Sequence, residues 1–190
     1  MLKELLIKNR SCRAYDESYR VSREELLDMV DCARFAPSSI NLQPLSYRLV
    51  YTPEELALVQ PLTRWAGLLP EVELPPKGQC PTGFIVICQD TEKFGPEERF
   101  LKDVGICALA IQLRAGEMGL AGCMIGSYDA KKLKEALNIP EKTEPLLVVA
   151  VGKSAEECRL TEVQGDSTRY YRDENNIHYV PKRALEDIVF

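Results

Sequence analysis

Apolar positions along this chain fall into alternating helical and strand periods. Leu2, Leu5 and Leu6 share one face at helical spacing, which predicts a short helix over 2–9. Ser22 with Glu25 three residues on is a capping-box start, and Leu26, Met29, Val30 and Ala33 form the apolar stripe behind it. Pro37 stops that helix and opens a polar loop, Ser38 to Pro44. Tyr47, Leu49 and Tyr51 then alternate with Arg48, Val50 and Thr52, as in a strand. Thr52-Pro53 begins another helix, running toward Trp65. Residues 66–82 are rich in Pro and Gly without a period and read as a loop; residues 62–80 are the candidate substrate-facing lid. Gly83 to Cys88 is a continuous apolar run of strand length, suited to a strand covered on both faces.

A long helix follows over 97–118. Its centre, Val104 to Leu113, is apolar almost all round, which fits either the centrepiece of a core or a subunit interface. Gly119 to Gly126 reads as a turn into a strand. Asp129 caps a helix through Leu137, which Pro140 ends, and Leu146 to Val151 is the last clear strand. From residue 154 the pattern weakens until a terminal helix expected from Pro181. A coreless stretch of this length is too long for an ordinary loop. Its aromatics Tyr170, Tyr171, Tyr179 and Phe190 argue against plain disorder. It reads as an arm over 154–190 that packs on a second copy, with a tail draped over its own subunit as the alternative. The order of elements is mixed α+β in one domain over 1–190. It lacks the strict β-α alternation of a doubly wound fold, a G-x-G-x-x-G loop and a phosphate-binding Walker loop.

Composition narrows the function. A net charge of −5 leaves no surplus of cations for non-specific nucleic-acid binding. The seven cysteines include no C-x-x-C pair and there is one histidine, so neither a zinc site nor a histidine-based hydrolase is indicated. Reduced, mostly buried thiols in a cytoplasmic protein are the expectation. The first residues are too charged for a signal peptide, and no apolar run is long enough to span a membrane.

Three clusters could carry chemistry. Arg10, Ser11 and Arg13 place two guanidinium forks and a hydroxyl within four residues, a set that matches phosphate oxygens, although such a cluster can equally be a solvated basic turn. The loop from Pro37 to Pro44 holds Ser38, Ser39, Asn41 and Gln43 between two prolines. Carboxamides that both donate and accept suit the edge of a heterocycle, while ordinary turn chemistry is the alternative. The glycines of Gly119 to Gly126 would let backbone approach a flat ligand, or would allow tight strand–helix packing.

Taken in order, these clusters resemble the nitroreductase family of FMN-dependent oxidoreductases. So do Asp103-Val104-Gly105 in the long helix, the strand ending at Gly152-Lys153, and the tail segments Arg169 to Asp173 and Val180 to Arg183. The tail looks like the ending of a small-subunit branch. The resemblance implies a mostly antiparallel sheet surrounded by helices in an intertwined homodimer, with non-covalent FMN at the subunit interface. It implies that Arg10, Ser11 and Arg13 hold the FMN phosphate and ribityl chain. Ser38, Ser39, Asn41 and Gln43 would contact the cofactor from the other chain, and backbone N–H groups at Ile125 and Gly126 would face flavin N5. Lys153 after Gly152, or Arg159, would supply a second phosphate ligand, because many members carry a double arginine where this chain has Asn9-Arg10. It implies hydride passing from NAD(P)H through N5 to a nitroaromatic, quinone or related small-molecule acceptor by a ping-pong route, with no catalytic side chain required. A flavin-storage protein on the same scaffold, or a dimeric interaction module without cofactor, are the alternatives.

Overall fold

The helix starts form as the sequence dictates. Ser22 and Glu25 close a reciprocal cap at the start of α2 (Arg23–Arg34): the Glu25 N–H donates to Ser22 Oγ at 3.2 Å and the Ser22 N–H to Glu25 Oε2 at 2.8 Å. Thr52 caps α3 (Pro53–Val59), with Pro53 at its first position, and Asp129 caps α6 (Ala130–Leu137). α1 is Leu2–Lys8, α4 is the single turn Thr91–Phe94, and α5 is Leu101–Glu117, entered through a 3-10 turn over Glu97–Phe100. The computed structural model describes all 190 residues, the side chain of Glu97 excepted.

Strands β1 (Leu45–Val50), β2 (Gly83–Asp90), β3 (Ala121–Ile125) and β4 (Thr143–Gly152) form one antiparallel sheet in the order β1-β2-β4-β3. Period-two alternation sends the side chains of each strand to two separate cores. Phe84, Val86, Val148 and Ala150 face a core completed by Tyr15, Leu56 and Leu133. Ile85, Ile87, Val149 and Val151 face a second core made by α2 and α5 through Leu26, Met29, Ala108 and Ile111. Helices therefore cover both faces, which is why β2 is buried at seven of its eight positions and its first six residues, Gly83 to Cys88, read as an unbroken apolar run.

Two glycines serve this packing. A Cβ on Gly122 would lie 2.9 Å from the Ala150 carbonyl oxygen, and one on Gly152 would lie 2.8 Å from Tyr15 Cδ1. Gly126 has open space where its Cβ would be. The long helix divides into two faces: Val104, Cys107, Ala108, Ile111 and Ala115 are buried, whereas Leu101, Ile106 and Leu109 are exposed.

The tail departs from expectation. It contains three strands, β5 (Cys158–Glu162), β6 (Tyr171–Arg172) and β7 (His178–Lys182), in the order β5-β7-β6. The terminal helix expected from Pro181 does not form: Pro181 lies inside β7, followed by turns at Asp187 and Ile188. β7 tolerates a proline there because β6 pairs only with His178 and Tyr179, so on that side the ladder has already ended. The helix expected to run on to Trp65 also stops early, α3 giving way to a 3-10 turn at Gln60–Leu62.

Candidate functional site

Beyond α1 the chain runs extended along the outer edge of β3. The Cys12 N–H donates to the Gly122 carbonyl at 3.0 Å, and the Asp16 N–H to the Lys153 carbonyl at 2.8 Å. Cys12 and Tyr15 are buried in the core, whereas Ser11 is exposed and Arg13 half-buried. The first cluster of the sequence thus sits on the molecule's surface, backed by the sheet.

A cavity of about 340 Å³ opens there, walled by Arg10, Ser11, Arg13, Tyr170, His178 and Lys182, with Leu109 and Gln112 contributed by α5. None of its lining residues is a carboxylate. Arg13 donates to His178 Nε2 at 3.2 Å and lies over the Tyr170 ring, 5.0 Å from its centroid. Because a guanidinium only donates, Nε2 accepts and the proton resides on Nδ1. That Nδ1 is buried without a partner, as are Arg10 Nε and Gln112 Nε2. Burial, reinforced by Arg13 and Arg172, holds the His178 pKa down at about 4, so the ring is neutral at neutral pH. Burial also lowers the pKa of Arg10 from the ordinary arginine value, with Cys158 acting in the opposite sense. Three unpaired N–H donors and a concentration of cations, with no anion in the walls, are a donor set that fits an anionic, acceptor-rich ligand such as a flavin phosphate and ribityl chain. Behind the cavity, Glu156 accepts from the Arg13 backbone N–H and pairs with Arg172, both side chains being almost fully buried.

The second cluster lies elsewhere. Ser38 Oγ donates to Asp103 Oδ2 at 2.6 Å, and Ser39 donates to the same carboxylate through its N–H at 3.1 Å and its Oγ at 3.1 Å. Gln43 Nε2 donates to Asn41 Oδ1 at 3.1 Å. Ser38 and Gln43 line a separate cleft of about 170 Å³ with Tyr47, Asp103 and Cys107. Within one chain, then, the loop and the arginine cluster open into different cavities, at successive levels of the same helix: Asp103 and Leu109 are about 9 Å apart along α5.

The remaining expected residues have other settings. Ile125 is buried in the core while Gly126 is exposed at the end of β3. Gly152 packs under Tyr15. Lys153 Nζ donates to the Gly119 carbonyl at 3.3 Å, and Arg159 pairs with Glu157 on the surface. Neither lines the arginine cavity; Lys182 does. Lys182 and Tyr170 fall within the tail segments Arg169 to Asp173 and Val180 to Arg183 that carry the resemblance, whereas His178 stands out in the sequence only as the single histidine and Gln112 by nothing beyond its place in an apolar helix. In the candidate lid, Trp65 meets Tyr15 edge-on with ring centroids 6.5 Å apart, and its Nε1 donates to Thr63 Oγ1 at 2.9 Å. The lid reaches the cavity rim at Leu68, whose N–H donates to the Tyr170 hydroxyl at 3.4 Å and whose carbonyl accepts from Arg169 at 2.6 Å.

The fold is thus α+β, an antiparallel sheet flanked by helices, with a basic, carboxylate-free cavity beside the end of its first helix. The nitroreductase family model matches residues 6–153, and the chain belongs to that family. Among similar proteins is an oxygen-insensitive NADPH nitroreductase of Helicobacter acinonychis, 27% identical, with 82% of this chain and 89% of that protein aligned. Among solved structures, an FMN-dependent nitroreductase from Clostridium difficile R20291 superposes with a TM-score of 0.64 at 29% identity, covering 85% of this chain and 91% of that one. A nitroreductase family protein from Clostridium difficile 630 superposes with the same TM-score of 0.64 at 23% identity, over 98% of this chain and 95% of the other, which bears on the fold alone.

Proposed function

We propose that this chain is an FMN-dependent NAD(P)H oxidoreductase that acts as a homodimer on a nitroaromatic, quinone or related small-molecule acceptor. The observation that carries the reading is the arginine cavity: cationic walls, no carboxylate and three buried N–H donors without partners. The NADPH nitroreductase of Helicobacter acinonychis and the FMN-dependent nitroreductase of Clostridium difficile R20291 support the same reading.

Arg10, Arg13 and Lys182 neutralise the phosphate charge, and Ser11 adds a hydroxyl. Lys182 takes the place expected for Lys153 or Arg159 as the further basic group. Asn41 and Gln43 offer their carboxamides to the ring edge from a second copy, and backbone N–H groups near Ile125 and Gly126 orient it. The separation of the two clusters within one chain supports a site built from two copies, as do the exposed Leu101, Ile106 and Leu109 on α5 and Leu2, Leu6 and Ile7 on α1. Bound flavin supplies the two-electron exchange between nicotinamide and acceptor; the protein binds, orients and excludes. Alternating use of one cavity by donor and acceptor gives ping-pong kinetics. The seven free cysteines fit a reducing, cytoplasmic setting. No helix among the described residues is long and apolar enough to cross a membrane.

Arg10→Ala with Arg13→Ala tests the binding role. The double variant should bind FMN at least ~10-fold more weakly by fluorescence titration while its far-ultraviolet circular dichroism stays unchanged, since each charge-assisted contact contributes a few kcal/mol at most. Unchanged FMN affinity would remove the cavity from the account.

A further inference from the structure

Asp103 is a buried carboxylate, 2% exposed, with no cation paired to it among the described residues. Its position has two supports. It is the third residue of α5, where the helix dipole favours negative charge. It also receives the hydrogen bonds of Ser38 Oγ and of Ser39 through both N–H and Oγ. Ser38 Oγ accepts in turn from the Gln43 N–H at 3.0 Å, so one hydroxyl ties the carboxylate to both ends of the loop.

Between those ties the backbone is left-handed at three residues that are not glycine: Ile40 at φ 50°, Asn41 at φ 55° and Gln43 at φ 51°. For a β-branched residue such as Ile40 this region is strongly disfavoured. Ile40 is also 80% exposed, so its own burial contributes little to holding the conformation. Two backbone bonds close the turn from within, Asn41 N–H to the Ser38 carbonyl at 2.9 Å and Leu42 N–H to the Ser39 carbonyl at 3.1 Å, and Asp103 grips it from outside. Its product is visible in the side chains: Asn41 and Gln43 are held together, amide to amide, at 3.1 Å.

We propose that Asp103 is a positioning residue for the cofactor, locking the loop from Ser38 to Gln43 in a strained shape that presents Asn41 and Gln43, and that Ser38 and Ser39 are fasteners of this lock whose side chains do not themselves ligate the cofactor. The inference rests on the flavin reading for what the loop presents; the lock itself does not depend on it. Both serine hydroxyl protons are committed to Asp103, and Ser38 Oγ also accepts from Gln43.

The test is a double-mutant cycle on FMN affinity with wild type, Asp103→Ala, Ser38→Ala and the pair, together with amide hydrogen exchange of residues 39–43 in the flavin-free protein. Asp103→Ala should weaken FMN binding ~10- to 100-fold and speed exchange across the loop, with Asp103→Asn intermediate because a carboxamide retains one acceptor oxygen. Ser38→Ala should add little on the Asp103→Ala background, because the two act as one unit. Leu133→Ala, in the opposite core, should lower the melting temperature without changing FMN affinity or loop exchange. Fully additive losses in the cycle would make Ser38 a direct ligand and overturn the fastener role. Wild-type affinity and wild-type loop exchange in Asp103→Ala would overturn the lock. If wild type takes up no FMN, the flavin reading fails, and the exchange measurement alone decides whether Asp103 holds the loop. Should Asp103→Ala not fold, Asp103→Asn and Ser38→Ala carry the same comparison.

Discussion

His178 is the chain's single histidine, 1% exposed, with Arg13 on its Nε2 and an unpartnered Nδ1. Protonating it would add a third positive charge beside Arg13 and Arg172, the two cations that with burial depress its pKa to about 4. A base whose folded pKa lies below its unfolded value makes the unfolded state the better proton binder between the two. Stability therefore falls as pH drops from about 6.5 to about 4 and gains no further loss from this group below that. Urea denaturation of wild type and His178→Gln between pH 4 and pH 7.5 should show a difference in stability that changes across this window. A constant difference would mean that the ring does not titrate as described. The same residue shows why the site was only partly legible. Arg10, Ser11 and Arg13 declared themselves by residue type in four adjacent positions. His178, Tyr170 and Gln112 reach the cavity from distant segments, and nothing in local spacing marks them.

Among elements, those with a period and a cap were legible because local chemistry and packing agree. α2, α3 and α6 start where Ser22, Thr52 and Asp129 cap them, and β2 and β4 are the runs buried on both faces. The tail strands were not, because they are at most five residues long and mostly half-buried or exposed, so the brief alternation of Cys158 and Leu160 with Arg159 and Thr161 in β5 has no buried face to mark it. Pro181 read as a helix start because its tolerance depends on β6 ending two residues earlier along β7, a tertiary fact. The glycines divide in the same way. Gly152 ends β4 under a fully buried Tyr15, so Gly152→Ala should cost about 1–3 kcal/mol through overpacking, read as a lower melting temperature. Gly126→Ala meets no atom and should melt like wild type. Equal melting temperatures for the two would contradict the packing role of Gly152.

At the scale of the whole molecule, the proposed function divides the cofactor site between two copies, each chain carrying two separate parts of it. The arginine cavity and the loop locked by Asp103 open at different levels of α5, and the exposed apolar residues of α1 and α5 lie on the same helices that bear them. On the proposed reading, a second copy laid on those faces brings one chain's loop to the other's cavity and makes cofactor binding and dimerisation one event. The most direct measurement is an anaerobic visible spectrum of the FMN-loaded protein during titration with NADPH or NADH, followed by addition of a nitroaromatic or quinone. The account predicts loss of the oxidised-flavin absorbance on adding the nicotinamide and its return on adding the acceptor, from a species that sediments as a dimer. A protein that takes up FMN but is not reduced by either nicotinamide would be a flavin carrier, and that result would contradict the proposed function.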